Sequence, residues 1–180
     1  MNVEVESRAN AIIHWGKNPV LFCKKFFDFS LDPWQEEALN ALVTHDRVAF
    51  VASKGVGKSF LEAVAGWWWM FTRPKAQVIC TSTDADNLKR GLWKEIEGLY
   101  KKSDLLRGFA EMNSEEAYAR HDRAEWFMAA KSWRQKVDPI EQAQALAGLH
   151  GPAMMWLGDE AGSYHHAIVA SGSAMMANAA

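Results

Sequence analysis

Two stretches of this sequence carry residue types whose spacing could act on a phosphate anhydride. Ala52-Ser53-Lys54-Gly55-Val56-Gly57-Lys58-Ser59 is glycine-rich and ends in a lysine and a hydroxyl. Met154-Met155-Trp156-Leu157-Gly158 is a mainly apolar run that ends in adjacent acids, Asp159 and Glu160. Glycines at 55 and 57 let successive backbone N–H groups turn inward around phosphate oxygens without a Cβ clash. Ser53, Lys54 and Val56 supply the other N–H groups of that loop. A helix opening near Lys58 would aim its positive end at the same anion. Lys58 adds a mobile charge for the outer phosphates, and the Ser59 hydroxyl can ligate Mg²⁺. Asp159 suits the same metal, and Glu160 suits activation of an attacking water.

The elements that must position these groups are legible nearby. Val48-Ala49-Phe50-Val51 is apolar and predicts a buried strand, Val48–Ala52, leading into the loop. The stretch after it predicts a helix over Ser59–Phe71, with Pro74 ending that region. Strand, glycine loop and helix in that order are the context a phosphate loop requires. Ala52 stands where the strict loop pattern has its first glycine.

Further strands are predicted at Ala76–Thr81, Ala124–Ala130 and Met154–Leu157. Helices are predicted over Asn18–Phe29, Trp34–His45, Asp84–Lys101, Pro139–Leu149 and Tyr164–Ala177. Asp32 is a plausible cap for the second of these, with Pro33 in its first turn. Lys102–Arg123 breaks pattern and reads as irregular, with a short helix or hairpin. Strands alternating with helices predict an α/β protein with a mostly parallel sheet covered on both faces.

At 180 residues the chain suits one such domain. Hydrophobic content of 49% and charged content of 23% exclude a disordered chain. The formal net charge is −2, so composition makes no case for a nucleic-acid partner. Cys23 and Cys80 are isolated and read as buried thiols of a reducing compartment. The N-terminus lacks signal-peptide regions, and no apolar run spans a bilayer; the expected location is the cytoplasm, without membrane.

These residues, taken in order, resemble the ATPase domain of the large terminase subunit, the motor that packages DNA into viral capsids. Leu31-Asp32-Pro33-Trp34-Gln35-Glu36-Glu37-Ala38-Leu39 resembles the family's adenine-reading segment. Ala52–Ser59 resembles its phosphate loop. Val78–Ile96, with Leu92-Trp93-Lys94-Glu95-Ile96 near its end, resembles a strand–Thr–helix segment. Ala145–Gly151 followed by Asp159-Glu160-Ala161 resembles the region of its acids. The resemblance implies a three-layer P-loop NTPase of the ASCE type with ATP and Mg²⁺ as cofactors. It implies that Gln35 contacts adenine and that Ser53 to Ser59 bind the phosphates. It implies metal binding by Ser59 and Asp159, and catalysis by Glu160, Lys58 and Lys54. Lys54 occupies the place of an arginine that often acts as a charge-stabilising finger, although lysine lacks the planar fork. Gly158 replaces a bulkier aliphatic residue.

Implied partners are double-stranded viral DNA, a portal protein and a small terminase subunit, with a ring oligomer on the portal. Residues 1–30 are expected to form a helical extension and 31–180 a partial ATPase domain. Only 20 residues follow Glu160, none acidic, so the coupling motif and nuclease domain of full terminases are expected to be missing and no nuclease activity is assigned. Two alternatives stay open: a catalytically weak prophage remnant that binds nucleotide, and another P-loop ATPase of helicase type. Trp67-Trp68-Trp69 reads as core packing on two sides, and His150, His165 and His166 as loop histidines. The pairs Lys89-Arg90 and Lys101-Lys102 read as solvated faces. Arg107, Arg120, Arg123 and Arg134 are equal candidates for a finger offered to a neighbouring subunit.

Overall fold

The computed structural model describes residues 3–53, 55–132 and 149–177. Helices α1 (Val3–Gly16), α2 (Pro19–Phe27) and α3 (Pro33–Thr44) precede the glycine loop, and α4 (Lys58–Thr72) follows it. Strand β1 (Ala76–Ser82) leads to α5 (Ala85–Leu88), a π-helical turn (Lys89–Trp93), α6 (Lys94–Lys102) and α7 (Asp104–Phe109). Then come β2 (Ala110–Met112), β3 (Glu116–Ala119), β4 (Phe127–Ser132) and β5 (Ala153–Gly158). A 3₁₀ turn (Ala161–Ser163) and α8 (His166–Ala177) close the described chain. No helix among the described residues is long and apolar enough to cross a membrane.

The molecule is α/β, and its sheet is mixed rather than mostly parallel. The strand order is β2-β3-β4-β1-β5. β1 runs parallel to β4 and to β5, placing Ile79 opposite Ala129 and Trp156. β2 and β3 form a hairpin that joins β4 antiparallel. Asn113 makes this hairpin: its carboxamide oxygen accepts from the backbone N–H groups of Glu115 and Glu116, closing a turn that its short side chain favours. The broken pattern between residues 102 and 123 thus resolves into a short helix and a hairpin.

The predicted strand at Val48–Ala52 is not present. The segment is irregular, Val51 is fully exposed, and Phe50 packs its ring 6.1 Å from that of Trp34. A short apolar run carries no period of its own, so its composition does not distinguish a strand from an irregular segment that packs one aromatic ring against a helix. The strand predicted from Ala124 starts at Phe127, because residues 122–126 turn back with Trp126 N–H donating to Asp122 O. The helix predicted over Pro139–Leu149 lies, up to residue 148, outside the described residues.

Alternation along the strands sorts the core into two faces. Val78, Cys80, Met128, Met155 and Leu157 pack with α4 and the helices behind it. Ile79 and Met154 face the other way, onto Ile168 and Met175 of α8. The tryptophan triplet does pack on more than one side. Trp67 and Trp68 are 0% exposed, and each indole N–H donates to a different element: Trp67 to Ile96 O in α6, Trp68 to Trp15 O in α1, Trp69 to Ala153 O in β5. Residues of the expected N-terminal extension belong to this same core, with Phe22, Cys23, Phe26 and Phe27 all buried in it. Cys23 and Cys80 are free thiols, both buried.

Candidate functional site

The site is built where α4 begins. Gly55 and Gly57 both adopt left-handed backbone, with φ of 85° and 90°, and Gly57 is the N-cap residue of α4. An L-residue is disfavoured there. Gly57 is also crowded: a Cβ would lie 3.0 Å from Gln35 Nε2. Lys58 folds back over the loop, its ammonium donating to Ala52 O at 2.8 Å and Ser53 O at 2.7 Å. Ser59 is half-buried in the first turn, and Val56 is exposed. Lys54 lies outside the described residues, so neither its finger role nor its place in the loop has a geometry here.

Gln35 is not a solvated first-turn residue; it is 4% exposed. Its carbonyl oxygen accepts from Asp32 N–H at 2.9 Å, one half of a capping box with the Asp32 side chain. Its amide nitrogen faces the loop at Gly57. Asp32 therefore caps α3 as its sequence position suggests, and the cap is what brings Gln35 to the loop.

β5 delivers the acids. Asp159 N–H donates to Thr81 O at 3.0 Å, extending the β1–β5 ladder by one step. Glu160 then turns the chain in left-handed backbone, φ 58°. It is exposed, and one carboxylate oxygen accepts from the Thr83 hydroxyl at 3.4 Å. Tyr164 fastens this turn: its hydroxyl donates to Asp159 O at 2.8 Å and lies 3.1 Å from Thr81 Oγ1. Gly158 makes room for it, because a Cβ there would stand 3.3 Å from the Tyr164 ring. The departure at position 158 thus has a local cause. On its other side, Asp159 Oδ2 faces the π-helical turn, 3.7 Å from where a Cβ on Gly91 would be.

Electrostatics draws loop and acids together. Burial raises the Asp159 carboxyl above its ordinary range and the Glu160 charge adds to this, while a backbone hydrogen bond at Glu160 and the Lys58 charge oppose it. A third carboxyl, which the sequence reading did not single out, belongs to the same group. Glu62, one turn into α4, is pushed up to about 8 by burial first and by Asp159 second, with Lys58 opposing. Its Oε2 is sealed from solvent and has no hydrogen-bond partner. The i,i+4 spacing from Lys58 was the available signal, since it puts Glu62 on the lysine's own face of α4.

This donor set fits a divalent cation. Glu62 and Asp159 lie together with Lys58 as the opposing cation, and one buried carboxyl oxygen lacks a donor. Among the described residues no three His, Cys, Asp or Glu side chains gather at metal-ligand spacing. A cation here would therefore draw on the Ser59 hydroxyl, on Asp159, on phosphate oxygens and on water, the mixture magnesium prefers.

The arginines considered as fingers sit elsewhere. Arg107 pairs with Asp104, Arg120 with Glu111 and Arg123 with Glu116, all around α7 and the β2–β3 hairpin. Arg134 lies outside the described residues. No family model matches the chain, and no curated protein or solved structure matches it either.

Proposed function

We propose that the chain binds ATP with Mg²⁺ at the Gly55–Ser59 loop and hydrolyses it, as the motor domain of a large terminase subunit does when driving double-stranded viral DNA into a capsid. One observation carries this reading. Two left-handed glycines open a buried helix, and the lysine that follows them lies within electrostatic reach of Asp159, far away in sequence. The backbone of Ser53 to Ser59 would cradle the phosphates, with the α4 dipole behind it. Gln35, held beside Gly57, would meet the base. Ser59 and Asp159 would hold the metal, which when bound neutralises charge on the phosphates. Glu160, exposed beyond the end of β5, would orient and deprotonate water. A P-loop fold, a portal, a small terminase subunit and a ring assembly in the host cytoplasm complete the reading.

A second reading is a nucleotide-binding remnant with little turnover. The observation favouring it is the segment before the loop, which lies outside the sheet and so leaves the loop without a strand behind it.

Calorimetry with a non-hydrolysable ATP analogue, alongside a turnover assay, tests both. Lys58→Ala should weaken binding by about 2–3 kcal/mol, the loss of a charged hydrogen-bond donor. Glu160→Gln should leave binding intact and lower turnover roughly 10²-fold or more. Equal affinity of Lys58→Ala and parent sinks the nucleotide reading. Binding with no turnover in the parent favours the remnant.

A further inference from the structure

Among the described residues three buried side-chain polar atoms have no partner: Glu62 Oε2, Ser82 Oγ and Trp93 Nε1. The first two share one face of the sheet. Glu62 stands on α4, whose buried residues share a core with Val78 and Cys80 of β1. Ser82 is two residues beyond Cys80 in the same strand and so presents its hydroxyl to that side. Asp159 follows β5 on the same side as Leu157, which packs in the α4 core. Ser82, one step past the Thr81–Gly158 pair, thus lies level with Asp159, and Glu62 is within electrostatic reach of the same acid; one atom of each side chain is buried without a partner. Leaving such groups unpaired is costly, and native proteins do it sparingly.

We infer that Glu62 is an outer carboxylate of the cation site, gripping the metal through its water rather than by direct ligation. This rests on the ATP–Mg²⁺ reading above and deepens it. Magnesium keeps several waters in protein sites and holds them as donors. Carboxylates at the second remove commonly fix such donors in place. Glu62 stands three residues after Ser59 and four after Lys58, on one helical face with both. Glu62 is therefore a positioning residue, and no bond to phosphate is assigned to it.

The test is nucleotide binding measured twice, in EDTA and in saturating Mg²⁺, on parent, Glu62→Gln and Glu62→Asp. Both variants should bind the analogue in EDTA as the parent does, which also shows that the loop is folded. The Mg²⁺-dependent gain should fall about tenfold in Glu62→Gln, one charge-assisted hydrogen bond. Glu62→Asp, which keeps the charge but withdraws it by a methylene, should fall between. Mn²⁺ paramagnetic resonance of the nucleotide complex should show the weaker metal affinity directly. A Glu62→Gln protein with the parent's full Mg²⁺ gain overturns this inference and leaves the nucleotide reading standing. A variant equally weakened in EDTA makes Glu62 a folding residue and overturns it too. A parent that binds no nucleotide overturns both readings.

Discussion

With no cation bound, a carboxyl that the fold keeps from ionising makes stability depend on pH in a predictable direction. The Glu62 carboxyl rises from 4.5 to about 8, through burial and then through Asp159, with Lys58 opposing and the Cys80 thiol beside it. The folded chain then holds that proton more tightly than the unfolded chain, so its contribution to stability falls as pH rises from about 4.5 to about 8. At about 1.4 kcal/mol per pH unit, the penalty above pH 8 is on the order of 3–5 kcal/mol. Glu62→Gln removes it. The variant should match the parent near pH 5 and exceed it in urea midpoint near pH 8.5, and parallel profiles at both pH values would contradict this. At this scale the sequence singled out Lys58, Ser59 and Asp159 by a glycine loop and paired acids, and the fold brings Lys58 within electrostatic reach of Asp159. Glu62 and Tyr164 were not legible. A glutamate in an amphipathic helix looks solvated until its neighbours in space are known, and Tyr164 acts through an oxygen five residues back.

The π-helical turn between α5 and α6 shows what periodicity can and cannot disclose. Leu88, Leu92, Trp93, Ile96 and Leu99 recur at helical spacing, and all five are buried. The backbone beneath them nevertheless widens at Lys89–Trp93 and narrows again at Lys94. Side-chain spacing fixes a face, and a single wide turn shifts the winding without vacating that face. The Val48–Ala52 segment is the converse case: composition suited a strand, yet the segment joins none of the described strands, although β5 lies at an edge of the sheet. Contacts between elements also depend on single polar atoms. The Trp67 indole ties α4 to α6 through Ile96 O at 3.0 Å, with Tyr100 stacked on its ring at 5.9 Å. Trp67→Phe keeps an aromatic ring but loses that bond, and should cost about 1–3 kcal/mol. The check is a urea titration in which the midpoint falls and the slope stays constant, the signature of lost stability without a changed unfolded state.

Across the whole molecule, the three parallel strands were legible because each is a compact apolar run, while the antiparallel hairpin showed only as a break in pattern that could hold a hairpin, because β2 and β3 are three and four residues long. The two thiols report how these parts hold together. Cys23 sits in α2 and Cys80 in β1, an interior strand flanked by β4 and β5. Burial pushes the Cys23 thiol up to about 12 and raises Cys80 further, so neither offers a nucleophile while the chain is folded. An alkylating reagent can reach them only during opening, which turns the pair into two clocks placed in different parts of one core. The N-terminal helices share that core, and Trp68 hydrogen-bonds back to Trp15. Both cysteines should therefore be labelled at one common rate, read by mass spectrometry after timed quenching. Labelling of Cys23 well ahead of Cys80 would mean that the first helices peel away from the rest of the core on their own.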